Sequence, residues 1–422
     1  MMQGPFLRQR FLNPLVEVQE VIELAYRSNE FYREKWRQAK LRPEEIEGAD
    51  DLVRLPLTTS EEIKGKPWIL LTVPRSRICQ IHVSTPPTAP RLYIPLSEDD
   101  LYRGGIRPFT RGTSFSPPVP MIISEEQVVI NALPYEMSDI ALLFHRILQN
   151  GVGAGVVPVG KGGFYSFAEK SLQITRDLKA DHIMTTPSYA IYLAHKAHEM
   201  GYEMGRDLQP KSLWLMGESC SPNLRRRIEA LWRTQAFLAL SSLEAGPIAL
   251  ECQEKSGLHV ATGYIYPEII PMSDSGLTLP EGAGEIVITV LWRKSSPVVR
   301  YKTGIMGCLE DAPCPCGLDS PRILCLGNRR EFLALAGSRV SLLEIEDCLM
   351  ELPDISSWYH LRPEGDSLTV LIPAGMSPGK REELRQKVEA NLQARLRLSL
   401  SVKIQEHSRA YQGGDWERVL AT

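Results

Sequence analysis

The sequence predicts an α/β fold: a large N-terminal region of parallel sheets flanked by helices, extended by a barrel-like β section, followed by a small α+β C-terminal domain. Between residues 128 and 234, short apolar segments alternate with helical ones, the pattern of parallel strands joined by crossover helices. After about residue 250 the apolar segments are separated by Gly/Pro turns instead, as in antiparallel β structure. The segment 330–422 returns to mixed helix and strand. These changes of pattern divide the chain at 327/328, into 1–327 and 328–422.

Taken in order, 16–26 and 29–40 place apolar residues at helical spacing, with Ser28 or Asn29 as an N-cap. From 70 to 95, β-branched residues and prolines predict short strands and turns. Strands are expected at 128–133, 154–159, 182–185 and 212–216, and helices at 139–149, 166–178, 187–200 and 222–234. The β section contributes 259–261, 268–270 and 285–290. The last unit contributes helices 342–352 and 381–396 with strands 367–372 and 401–405.

At 422 residues, with 43% hydrophobic and 23% charged residues, the chain has the composition of a globular protein of two or three domains. A net charge of −3 gives no reason to expect nucleic acid or an acidic membrane surface. No apolar run approaches a transmembrane span, and MMQGPFLRQRF lacks a signal-peptide core. A cytoplasmic location is expected, where disulfides are disfavoured.

Ile81–Tyr93, IHVSTPPTAPRLY, reads as a phosphate loop without its glycines. Such a loop cradles phosphate with backbone N–H groups. Pro86, Pro87 and Pro90 have none to give, leaving the hydroxyls of Ser84, Thr85 and Thr88 and the nearby Arg91. Four of the eight cysteines (Cys308, Cys314, Cys316 and Cys325) share one short segment. Cys252-x₆-His259 with Cys314-x-Cys316-Gly317 matches a closed tetrahedral Cys₃His zinc site. Cys308 or Cys325 is an alternative ligand, and plain burial of free thiols is the other explanation. Lys161-Gly162-Gly163 is a weak anion-binding signal. Cys220 sits at a helix start without a nearby histidine, which favours packing.

Together the fragments resemble the acyl-adenylate-forming superfamily, in its phenylacetate–CoA ligase-like branch. FYREKWRQAKLRPEEIEGADDLVRLPLTTSEEIK, TTPSYAIYLA, LWLMGES, ECQEKSGLHV, PEII, GEIVIT, PVVRYKTG and CPCGLDSPRI follow one another in the family's order. The resemblance implies a mobile C-terminal domain, ATP with Mg²⁺, coenzyme A, a small carboxylate or acyl substrate and a homodimer. A similar Cys/His set in some members of the branch supports structural zinc. It implies Glu244 as the acid that helps hold Mg²⁺, and Ser84, Thr85, Thr88, Gly217, Arg300 and Tyr301 as the nucleotide side of a cleft. His82, Thr186, Ser188 and Tyr189 would border the acyl group, although a lone histidine such as His82 also fits a satisfied structural role.

Several motifs depart from the family's pattern. Pro86 and Ala89 stand where loop glycines are expected, and Leu240 and Leu243 where an aromatic residue and a threonine are expected. Ile305 follows Arg300-Tyr301-Lys302-Thr303-Gly304 in place of the aspartate that grips ribose hydroxyls. The hinge reads Gly327-Asn328-Arg329-Arg330-Glu331. The tail places Asp415 where a lysine should stabilise the forming adenylate, with Lys403 nearby in sequence. The expectation is a ligase-like protein for an aryl or acyl carboxylate, or its activated form, with adenylation impaired or repurposed. A non-catalytic pseudo-ligase that binds a protein partner is the alternative.

Overall fold

The fold is described from a computed structural model, over residues 14–84, 90–104, 122–136, 140–163, 165–272 and 279–407. Eleven strands among the described residues form one sheet. Its order is Ile265–Pro271, Gly284–Val290, Tyr301–Glu310, Arg322–Asn328, Leu258–Val260, Gly246–Glu251, Gln235–Ser242, Ser212–Leu215, His182–Thr185, Val128–Ala132 and Gly155–Pro158.

The last five of these are parallel where they meet. They alternate between two apolar layers because successive side chains point to opposite faces. Ile130, Ile183 and Leu213 face helices Ala168–Asp177, Pro187–Glu199 and Pro222–Trp232. Val129, Met184, Trp214 and Phe237 join helix Ile140–Arg146 on the other face. Burial on both faces explains why HIMT and SLWL read as continuous buried strands.

Gln235–Ser242 is the pivot of the sheet. Its first half runs parallel to Ser212–Leu215, and its second half pairs antiparallel with Gly246–Glu251. The strands beyond it continue the sheet in antiparallel register. Helices Pro14–Ser28 and Glu30–Gln38 cover this half, burying Val18, Ile22, Tyr32 and Trp36 against Ile286, Ile288 and Tyr301. The Tyr32 hydroxyl locks the cover: it donates to the Pro297 carbonyl at 3.2 Å and accepts from the Val299 amide at 3.1 Å.

The C-terminal α+β unit follows Arg322–Asn328. A hairpin, Phe332–Leu335 with Ser338–Ser341, leads into helix Leu342–Glu351. A three-stranded sheet of His360–Glu364, Ser367–Pro373 and Ser401–His407 then packs with helix Pro378–Leu396. Helices Pro222–Trp232 and Leu342–Glu351 bury their apolar faces in one shared cluster.

The helices and parallel strands fall within a few residues of their expected positions. The sequence reading omitted Gln235–Ser242, Gly246–Glu251, Tyr301–Glu310 and Arg322–Asn328. Burial at every position of Gly246–Glu251 and register shifts in the pairing of the other three remove the strict alternation that marks a half-buried strand.

Candidate active site and metal centre

A cleft of about 1140 Å³ opens at the carboxyl ends of the parallel strands, roofed by the C-terminal unit. This is where open α/β sheets bind ligands. The floor comes from the Gly217–Cys220 turn and from the Leu240–Glu244 hairpin approach. Tyr301–Ile305 and Cys325–Glu331 form one wall, and Leu343, Glu344, Asp347 and Arg395 reach in from the C-terminal unit. Gly217 has φ +82°, left-handed, and a Cβ there would meet Thr186 Cγ2 at 3.6 Å. The turn thus needs glycine for its backbone angle rather than for space.

Glu244 and Tyr301 meet: the tyrosine hydroxyl donates to Glu244 Oε1 at 2.5 Å. Burial and the adjacent carboxylate push the Tyr301 hydroxyl far above its ordinary pKa. Ser84 lines the cleft, with its Oγ accepting from the Leu92 amide at 2.9 Å. Thr85 and Thr88 lie outside the described residues, as do Pro86, Pro87, Ala89 and Asp415.

Arg300, expected on the nucleotide side, has its side chain committed elsewhere. Its backbone has φ +47°, and the side chain is buried at 2% exposure, turned away from the cleft. Nε and Nη2 bond Glu268 at 2.9–3.1 Å, while Nη1 donates to the carbonyls of Val53, at 3.1 Å, and Leu55. A buried guanidinium satisfied this fully is a structural cross-link. His82 is likewise absent from the cleft lining. It lies buried at the side of the Gln80 amide, and burial with Arg293 and Arg146 nearby pushes its pKa down to about 3.

Thr186, Ser188 and Tyr189 start helix Pro187–Glu199, behind the Gly217 turn. Thr186 Oγ1 caps the Tyr189 amide at 3.3 Å. The helix start also binds a residue absent from the sequence-derived site, Glu218. Its Oε2 accepts from the Ser188 amide at 3.0 Å, and its Oε1 accepts from Ser188 Oγ at 2.6 Å and from Lys161 Nζ at 2.8 Å. Lys161, a weak anion-binding signal in the sequence, is thus paired with a carboxylate of its own chain. The signal lay in the Gly217-Glu218 turn, but its partner is 57 residues away. Tyr189 is fully buried, stacked on Tyr192 at 5.9 Å.

On the wall, Ile305 pairs with Asn328 and lines the cleft. Glu285, 2% exposed, accepts from the Gly304 amide at 3.1 Å and binds Lys302 at 3.0 Å. In the hinge segment, Glu331 accepts from Ser219 Oγ at 2.6 Å and from the Asn328 amide at 3.1 Å, while Arg330 lines the cleft.

Cys252, His259, Cys314 and Cys316 converge, with ligand atoms all within 4.8 Å of one another. Cys252 and Cys314 sulfurs are 3.7 Å apart, and Cys316 Sγ lies 3.3 Å from His259 Nε2. Ligands at ~2.0–2.3 Å from a tetrahedral ion would stand roughly 3.5–3.8 Å apart, so the donor set fits zinc. His259 Nδ1 is oriented by Ser320 Oγ at 2.8 Å, the kind of outer partner that fixes a ligand ring. Cys308 and Cys325 are outside the cluster; Cys325 lines the cleft instead.

No family model matches the chain. It is 26% identical over 356 residues to the phenylacetate-coenzyme A ligase of Thermus thermophilus, covering 82% of this chain and 77% of the relative. The Escherichia coli phenylacetate-coenzyme A ligase is 26% identical over 362 residues, 82% of this chain and 78% of the relative. A crystal structure of 2-hydroxyisobutyryl-CoA ligase in the postadenylation state superposes with a TM-score of 0.86 at 20% identity, covering 97% of this chain and 88% of that one. With the order of motifs and the fold, these similarities support the acyl-adenylate-forming superfamily and, within it, the phenylacetate–coenzyme A ligase-like branch.

Proposed function

We propose that the cleft binds an aryl or acyl carboxylate, or its activated form, and that ATP-dependent adenylation is impaired or repurposed. Ile305 carries this reading: it presents an alkyl side chain to the cleft where the family's ribose-gripping carboxylate is expected. Each lost charge-assisted bond weakens ribose binding by about 1.5–3 kcal/mol. Arg300, committed to Glu268 and two carbonyls, offers no replacement. The described wall therefore lacks the family's grip on a ribose. Glu244, held by Tyr301, remains the one family-type acid on the floor. Ser84 and Gly217 border the cleft, and Thr186, Ser188 and Tyr189 support its floor from behind. The open volume favours a small-molecule ligand over a filled-in scaffold.

Calorimetry with ATP and AMP, followed by pyrophosphate exchange across a panel of aryl acids, tests this. Weak nucleotide binding without exchange is expected. Exchange in the presence of Mg²⁺ at the rate of an active ligase refutes it. Binding of neither nucleotide nor any acid moves the reading to a protein-binding pseudo-ligase.

We further infer that Cys252, His259, Cys314 and Cys316 hold a structural zinc ion. The ion would cross-link the 252–259 segment to the 314–316 turn, and Gly257 and Leu258 of that segment form part of the cleft wall. We take the boundary between the two domains at 327/328, at the end of strand Arg322–Asn328, and a cytoplasmic setting suits the reduced thiols. No helix among the described residues is long and apolar enough to cross a membrane.

A further inference from the structure

Three of the departures from the family's pattern put alkyl groups where polar or aromatic ones are expected, at Leu240, Leu243 and Ile305. They are far apart in the chain, and the structure brings them to one surface. Tyr301, Ile305 and Ile323 belong to a single apolar cluster, and Leu238, Leu240 and Leu243 pack against it half-buried. All six line the cleft. Leu238 and Leu240 are on strand Gln235–Ser242, and Tyr301 and Ile305 on strand Tyr301–Glu310. Three strands separate these two in the sheet, yet the Tyr301 hydroxyl reaches Glu244, just past the end of the first. The sheet therefore curls, and the alkyl surface is concave.

The edge of this surface is charged. Glu285 is shared by two cations, Lys302 Nζ at 3.0 Å and Arg329 Nη1 at 4.0 Å, and all three residues line the cleft. Lys302 is on the same strand as Ile305, and Arg329 follows Asn328, the pairing partner of Ile305. Arg330 and Glu331, next in the chain, offset one another in charge, so the edge beside Ile305 keeps an excess cation. A nucleoside in this place would set its ribose hydroxyls against carbon and leave them without partners. Hydrocarbon does the opposite: it covers alkyl side chains that the open cleft leaves to water.

We propose that this surface is a hydrocarbon-binding subsite, and that the ligand of the cleft is an acyl carboxylate with an extended alkyl chain in preference to a compact aryl acid. The chain lies over Leu240, Leu243 and Ile305, with the carboxylate toward Lys302 and Arg329. The inference rests on the reading of the cleft as an acyl-carboxylate site with a weakened grip on nucleotide. All six apolar residues belong to the 1–327 region, so the subsite does not depend on where the C-terminal unit sits.

Calorimetry of the full chain with hexanoate, octanoate, decanoate and phenylacetate, without nucleotide, tests it. Each added methylene should tighten binding about threefold to fourfold, and decanoate should bind at least about tenfold more tightly than phenylacetate. Octanol should bind about fivefold more weakly than octanoate, because it lacks the anionic head. Ile305→Asp and the near-isosteric Leu240→Asn should each flatten the series to below about twofold per methylene. If circular dichroism shows that Ile305→Asp does not fold, Leu240→Asn carries the comparison alone. A series without chain-length dependence overturns the subsite, and so does a dependence that the variants leave unchanged, since the chain then lies elsewhere. Pyrophosphate exchange on the same acids separates this inference from the reading beneath it. Exchange at the rate of an active ligase overturns the weakened nucleotide grip and the subsite with it. A failed series in a chain without exchange overturns the subsite alone.

Discussion

The Cys252–His259–Cys314–Cys316 cluster and the Tyr301–Ile305 wall match the geometry expected of them to different degrees. The cluster assembles every donor its spacing announced, and an outer partner orients its histidine. The wall keeps the order of its motif while its side chains are committed to partners of their own chain or replaced. Arg300 is turned into a clamp on Glu268, Tyr301 is tied to Glu244, and Ile305 offers no acceptor. A thiol or imidazole set works once its atoms lie close together. A nucleotide wall works only if each side chain points one way, and a buried competitor can redirect it without changing its place in the chain.

The largest expected effect probes the cluster. Chelation, or Cys314→Ser with Cys316→Ser, should remove one zinc per chain by elemental analysis and lower the thermal midpoint by ~10 °C or more. A metal-free protein of unchanged midpoint would erase the contrast by leaving both regions without their family roles. Next, Arg300→Met strands the buried Glu268 carboxylate and should cost about 3–5 kcal/mol in denaturant unfolding. A loss below ~1 kcal/mol, with weakened nucleotide binding, would return Arg300 to the cleft.

Ile305→Asp sharpens the comparison from the other side. Restoring the acceptor should raise AMP affinity roughly ten- to hundredfold by calorimetry, matching about 1.5–3 kcal/mol. No gain would mean that the wall differs in shape as well as in donors. The smallest effect belongs to Tyr301→Phe, which removes one bond to Glu244 and should cost about 1 kcal/mol of stability. It should also make any nucleotide binding more responsive to Mg²⁺, read by titration with and without the ion.

How far the sequence could be read follows the same division. The parallel strands were visible because His182–Thr185 and Ser212–Leu215 are buried on both faces and leave short apolar runs. The cysteine set was visible through spacing. Gln235–Ser242 was not, because one strand serves a parallel neighbour with one half and an antiparallel neighbour with the other. The Lys161–Glu218 pair was hidden for another reason: each residue satisfies the other across 57 positions, and charge complementarity leaves no periodic trace. The Arg300–Glu268 pair left no trace either, because the arginine's motif is intact while its partner lies in a different strand.

The Tyr32 lock carries a consequence for biosynthesis. Tyr32 bonds residues 265 and 267 positions further along the chain, and its helix buries Trp36 against the same half of the sheet. At about 5–20 residues per second, a ribosome takes roughly 13–50 s to make the segment that receives them. For that interval the opening helices have an apolar face and no native surface to cover. A segment synthesised early is therefore among the last to settle, and its apolar face stays open to water or to a chaperone during that wait.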